Sequence, residues 1–403
     1  MRVLRRTLAA ALAGAAVLSS SGCFQYVRGL GRVIPGLVEQ DTLELNLVLI
    51  GDAGLPAPGG EPVLKALRDQ ISKQSKNTFV VFLGDNVYPR GMVLDSSAAE
   101  RRENERILDA QMAPLLETGV NGIMLPGNHD WATGTQSGLD VVRAEERYVN
   151  RRGRGIVKFL PTNGCPGPVP LDFGNYLRVI VLDTQWWLQT PYPRGHEGCR
   201  ARGEQEVIDS LRHDLASAGR RRTVIVTHHP QLSGGQHGGY FDWPTYLFPF
   251  HPWARQAGLF AKQDVTGAQY RAMIESINRA FGGNPPLVFA SGHEHNLQVI
   301  RMAPHHYQVV SGAGIYNHAT QSRVIRGTMY ARRASGWTEL AFLRDGRVRL
   351  SVKVVDAAGN AKEDFSAWLD TPPLVPESHG DPTEPHPAAP PAPPPSPPSG
   401  ARP

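Results

Sequence analysis

At 403 residues the chain exceeds a typical single core, and one large mixed-sheet domain of about 200 to 250 residues or somewhat more, with appendages, is expected. The formal net charge is +5, but Arg2, Arg5 and Arg6 lie in an N-terminal segment expected to be lost on export; without those three it is +2, too little to imply a nucleic-acid partner. Residues Met1 to Gly22 are a basic start, an apolar stretch too short to span a bilayer comfortably, and a close in small residues, the pattern of a secretory signal.

Ser20-Ser21-Gly22-Cys23 resembles the cleavage box of bacterial lipoproteins, which implies a lipid anchor on Cys23 and a membrane-anchored protein of the cell envelope. The alternative is cleavage nearby, with Cys23 an ordinary residue and the product secreted or periplasmic. Residues 23–44 then read as a tether, and the domain starts near Leu45. Helices are predicted from Pro62 to about Lys73, from Ser97 to Glu117 and from Leu139 to about Val149, each between apolar runs, an order that argues for βαβ units. A strand at Tyr176 to Leu182 and a helix at about Glu204 to Ala216 follow. The segment at about 231–266 crowds Tyr240, Phe241, Trp243, Tyr246, Phe248, Phe250 and Trp253 together, as a wall beside a crevice, a subunit contact or a self-folded loop would.

After a helix at about Ala268 to Phe281, four runs alternate in strand fashion: Leu297 to Met302, His306 to Ser311, Trp337 to Leu343 and Val348 to Val355. They are expected to form a second, largely antiparallel sheet that closes the domain near residue 356. Residues 371–403 are too rich in proline to pack a core and are expected to be extended. Cys165 and Cys199, in Gly- and Pro-flanked loops, are candidates for a structural disulfide in an oxidising compartment.

Five apolar runs end abruptly in polar clusters. Leu47 to Ile50 runs into Gly51-Asp52-Ala53-Gly54, Phe79 to Leu83 into Gly84-Asp85-Asn86-Val87-Tyr88, and Gly122 to Leu125 into Pro126-Gly127-Asn128-His129-Asp130. Val224 to Val226 runs into Thr227-His228-His229-Pro230, and Leu287 to Ala290 into Ser291-Gly292-His293-Glu294-His295. If these strands share one sheet, their tips bring carboxylates, a phenol, an amide and imidazoles to one edge, a donor set suited to metal ions. Taken singly, each cluster reads equally well as a turn, a helix cap or a polar strand end.

In this order and spacing the motifs resemble those of the calcineurin-like metallophosphoesterases and, more narrowly, the purple acid phosphatases. Most of the superfamily has Asp-x-His at the first motif; here Asp52 is followed by Ala53 and Gly54, and Tyr88 stands where purple acid phosphatases carry a compensating tyrosine. The resemblance implies an α/β fold, a β-sandwich of two mixed sheets flanked by helices. It further implies a first metal on Asp52, Tyr88 and His295, a second on Asn128, His228 and His293, and Asp85 bridging. His129 would be the proton donor or substrate-positioning group, and His237 a second histidine beside the leaving group. A phenol ligates only when ionised, which suits ferric iron at the first site, whereas an amide and two imidazoles suit a divalent Fe, Zn or Mn at the second. The implied reaction is hydrolysis of a phosphate monoester by hydroxide generated at two metal ions. The alternatives are a phosphodiesterase acting on nucleotides or phospholipid headgroups and a non-catalytic envelope lipoprotein.

Overall fold

The structure, a computed structural model, describes residues 42–189, 198–240 and 263–369. Cys23 and the segments read as signal and proline-rich tail lie outside these residues, as do 23–41 of the tether and 241–262 of the aromatic stretch.

The strands are β1 (Leu43–Ile50), β2 (Thr78–Phe82), β3 (Asn121–Met124), β4 (Val157–Phe159), β5 (Val169–Phe173), β6 (Leu177–Val181) and β7 (Arg222–Val226), then β8 (Val288–Ser291), β9 (Leu297–Ala303), β10 (His306–Ser311), β11 (Thr328–Arg332), β12 (Gly336–Leu343), β13 (Val348–Val355) and β14 (Ala361–Trp368). The α-helices are α1 (Pro62–Ile71), α2 (Ala99–Thr118), α3 (Gly138–Arg152), the single turn α4 (Gln185–Leu188), α5 (Glu204–Ala216) and α6 (Ala268–Phe281). They build two seven-stranded mixed sheets, ordered β14-β13-β12-β1-β2-β3-β4 and β11-β9-β10-β8-β7-β6-β5.

Leu45, Leu47 and Leu49 alternate with Val48 and Ile50, yet both sets are buried. The first set packs between the two sheets and the second against α1 and its neighbours. A third cluster seats α4, α5 and α6 on the outer face of the second sheet through Trp186, Leu211, Tyr270 and Ile277. With both faces of each sheet covered, the central strands are continuous apolar runs. β1 to β4 are mutually parallel and joined by α1, α2 and α3, the crossover order that the helical spacing predicts.

Three expectations are corrected. The five tips do not share one sheet: β1, β2 and β3 belong to the first, β7 and β8 to the second. The late strands do not make a sheet of their own, because β12 pairs with β1 while β10 pairs with β8, so they extend both sheets instead. Nor does the domain close near residue 356. β14 pairs antiparallel with β13 and buries Phe365 in the core between the sheets, its ring centroid 5.1 Å from that of Tyr330. The run of Lys362, Glu363 and Asp364 disguises β14 as loop; Glu363 is held by Arg349 and Lys353 of the adjacent strand. Truncating Phe365 to Ala should destabilise the domain by about 3 to 5 kcal/mol, measured by denaturant unfolding. A loss below about 1 kcal/mol would mean that β14 is not part of the core.

Cys165 and Cys199 form a disulfide.

Candidate metal centre

Register sets the site. Ile50, Phe82 and Met124 are level across the first sheet, and Val181, Val226 and Ala290 across the second, so the loops that follow these strands leave the two sheets side by side. Backbone hydrogen bonds from Gly51 to Ser311 (2.8 Å) and from Gly314 to Gly51 (3.0 Å) stitch the sheets together there. The loops turn sharply: Asp52, Asp85 and His293 all lie in the left-handed region, at φ 56°, 54° and 69°, a conformation uncommon for non-glycine residues. Their neighbours must be glycine. A Cβ on Gly127 would stand 2.2 Å from Asp85 Oδ1, and one on Gly84 2.7 Å from His228 Nδ1.

Two groups of donor atoms result. In the first, the Tyr88 hydroxyl lies 3.1 Å from Asp52 Oδ1, 3.2 Å from Asp85 Oδ2 and 2.9 Å from His295 Nε2, and that nitrogen is 3.4 Å from Asp52 Oδ1. In the second, Asn128 Oδ1 lies 3.0 Å from His228 Nε2 and 3.1 Å from His293 Nδ1, which are themselves 3.2 Å apart. Asp85 Oδ2 is 3.4 Å from His228 Nε2, so the one carboxylate oxygen belongs to both groups.

The tautomers aim lone pairs inward. His228 Nδ1 faces the Leu83 carbonyl at 2.8 Å and His293 Nε2 the Gln263 carbonyl at 2.7 Å; a carbonyl only accepts, so those nitrogens carry the hydrogens. Nε2 of His228 and Nδ1 of His293 are thus the nitrogens offered to the centre. Burial lowers the proton affinity of His228, but Asp85 and Asp52 outweigh it and raise its pKa to about 9. Burial likewise works to raise Asp85, yet His228 and His129 hold it well below the usual carboxylate range. A buried cluster of acceptors about 3 Å apart is tolerable only with a cation or a shared proton between them.

The first group poses the sharper demand. Burial, then Asp52 and Asp85, push the Tyr88 phenol well above its ordinary pKa. Only a strongly Lewis-acidic ion at that position makes it a ligand, and the donor set fits such an ion.

Around these atoms, His129 donates from Nδ1 to the Pro89 carbonyl at 2.6 Å and presents Nε2 3.9 Å from Asp85 Oδ2, about a quarter exposed. Asp130 accepts from the backbone of Gly127 (2.7 Å), Asn86 (2.9 Å) and Val87 (3.1 Å), tying the second and third motif loops together. Glu294 accepts from Ser233 Oγ (2.9 Å) and from the Gly238 amide (3.1 Å), which shapes the loop carrying His237. The His237 ring lies 4.0 Å from that of His293, and its Nδ1 is 2.7 Å from Asp264 Oδ1.

Every residue named from the sequence for the two sites is therefore in one crevice, with His129 and His237 on its rim. Four contributors were not named from the sequence: Thr184, Gln263, Asp264 and His318, an exposed imidazole whose ring lies 5.0 Å from that of His295. Gln263 and Asp264 lie at the end of the aromatic stretch, far in sequence from the histidines they hold, so no short spacing marks them.

A family model described as calcineurin-like phosphoesterase matches residues 45–297. Among solved structures, the purple acid phosphatase PPD1 from yellow lupin seeds is similar at 15% identity with a TM-score of 0.52; the match covers 81% of this chain and 54% of that one, so this chain spans about half the length of the lupin protein. GAP50, the anchor in the inner membrane complex of Plasmodium, is similar at 15% identity with a TM-score of 0.50, covering 82% of this chain and 90% of that one. At these identities the likeness is one of fold. No curated protein matches the sequence.

Proposed function

The chain belongs to the calcineurin-like phosphoesterase family, and from that membership we propose that it is a phosphoric monoester hydrolase of purple acid phosphatase type with a ferric first site and a divalent Fe, Zn or Mn second site. The observation that carries this reading is the pair of acceptor clusters sharing Asp85 Oδ2, one containing a phenol. Asp52, Tyr88 and His295 would hold the first ion, Asn128, His228 and His293 the second, and Asp85 both. Two ions in such a centre supply Lewis-acid polarisation of the phosphoryl group and acidify water.

The protein's own groups do the rest. The buried backbone N–H of His293 (2.9 Å from Asp52 Oδ2) and that of His129 (2.9 Å from Asp85 Oδ1) fix the carboxylates, so both keep their outer oxygens toward the crevice. His129, as the imidazolium, would give the departing alkoxide its Nε2 proton, while the Pro89 carbonyl holds the Nδ1–H, so that the ring returns to the Nδ1–H tautomer after the transfer. His237, held by Asp264, would orient the leaving group. His129→Ala should lower kcat about 100- to 10,000-fold for esters with poor leaving groups and much less for nitrophenyl esters, which need little protonation. Equal losses on both would remove His129 from the proton-donor role.

The experiment that tests the reaction class is a rate comparison on matched phosphate monoesters and diesters. Faster monoester turnover supports the reading, faster diester turnover replaces it with a phosphodiesterase, and no turnover with both sites filled makes the chain a non-catalytic scaffold. We also infer an exported, lipid-anchored protein from the Cys23 box; a mature protein whose N-terminal peptide, by mass spectrometry, does not begin at an acyl-modified Cys23 would refute that.

A further inference from the structure

Both imidazoles of the second site need a partner on the nitrogen that faces away from the centre. For His228 it is the Leu83 carbonyl, at the end of β2. For His293 it is the Gln263 carbonyl, which lies in a loop where no sheet ladder fixes it. A chain of buried and half-buried side chains does so. Gln263 Oε1 is 2.8 Å from His229 Nε2, and Gln263 Nε2 donates to Gln185 Oε1 at 3.0 Å. His229 Nδ1 is 2.8 Å from Thr184 Oγ1, which also accepts from the Thr227 hydroxyl (2.8 Å) and from the His229 backbone N–H (3.2 Å).

Counting hydrogens gives every link a direction. Thr184 Oγ1 uses both lone pairs on Thr227 and the His229 amide, so its own hydrogen goes to His229 Nδ1. The neutral His229 ring then carries its hydrogen on Nε2 and donates to Gln263 Oε1. That leaves the Gln263 amide NH2 for Gln185, as observed. The same count settles the role of His229. Its ring stands 4.5 Å from that of His293, and it groups with His228 and His293 as if to ligate. Both its nitrogens are spent on Thr184 and Gln263, so it is not a third imidazole ligand.

We propose that Thr184, His229 and Gln263 are positioning residues for His293, a directed hydrogen-bond chain that holds the Gln263 carbonyl against His293 Nε2–H and so keeps Nδ1 as the nitrogen offered to the second metal. The proposal rests on reading that site as a metal site, and the test separates the two. Metal-depleted full-length protein is titrated calorimetrically with Zn²⁺, the second-site equivalent being the one that Asn128→Ala removes. Gln263→Ala and Thr184→Val should each weaken that equivalent about 10- to 100-fold and leave the other unchanged, while Thr184→Ser stays within about threefold of wild type. Second-site affinity unchanged in both Gln263→Ala and Thr184→Val overturns the chain; a wild type that binds fewer than two equivalents overturns the reading of the site instead. If Gln263→Ala does not fold, the Thr184→Val and Thr184→Ser pair decides, since a hydroxyl is all that distinguishes the outcome.

Discussion

Asp85→Asn is expected to lower phosphoester hydrolysis by at least about a thousandfold while leaving the thermal unfolding temperature near that of the wild type. The substitution keeps volume and shape at a fully buried position, and an amide oxygen can still accept the His129 backbone N–H now 2.9 Å from Asp85 Oδ1. What it removes is the charge on the one oxygen that both donor groups share. In that same orientation the amide nitrogen takes the place of Oδ2 and aims its two N–H bonds at Tyr88 and His228, which stand 3.2 and 3.4 Å from Asp85 Oδ2. The centre should then retain at most one ion per chain. Steady-state kinetics beside metal content checks this, and a variant within tenfold of wild type with two ions bound would show that Asp85 does not bridge.

Tyr88→Phe should produce the second large effect. On the proposed ferric site, the tyrosinate gives the protein a broad visible absorption band, and the variant loses it. Phe fills the same space, so the ring contact with His129 (centroids 4.5 Å apart) survives and the loss reports on the hydroxyl alone. Activity should fall by more than the about 10- to 100-fold that losing an outer-shell partner costs, because in the proposed centre the hydroxyl is itself a ligand. A colourless wild type with full metal occupancy and undiminished activity in Tyr88→Phe would remove iron and the purple acid phosphatase type together, leaving a phosphoesterase of other metals.

The residues of the centre were legible because each follows an apolar run and each is of a ligating type. Tyr88 was legible for an added reason: it supplies a donor where Ala53 and Gly54 supply none. The partition of the strands was not. A strand buried on both faces reads as the same apolar run whichever sheet it joins, and β1 finds β12 at the far end of the domain, a pairing that no local pattern encodes. β14 escaped because its first half is charged, and β5 because Pro170 and Asp172 interrupt its pattern. The chain through Thr184, His229 and Gln263 escaped for a different reason. A threonine and a glutamine are ordinary surface residues in a sequence, and only folding places them behind a ligand.

The measurement that bears most directly on a binuclear centre is the metal content of purified full-length wild type beside Asn128→Ala and Asp52→Asn, each with its hydrolysis rate before and after chelation. Two ions per chain are expected in the wild type and one in each variant, with activity abolished by chelation and restored by adding metal back. A wild type holding one ion or none after metal is supplied, or hydrolysis that survives complete removal of metal, would contradict the account.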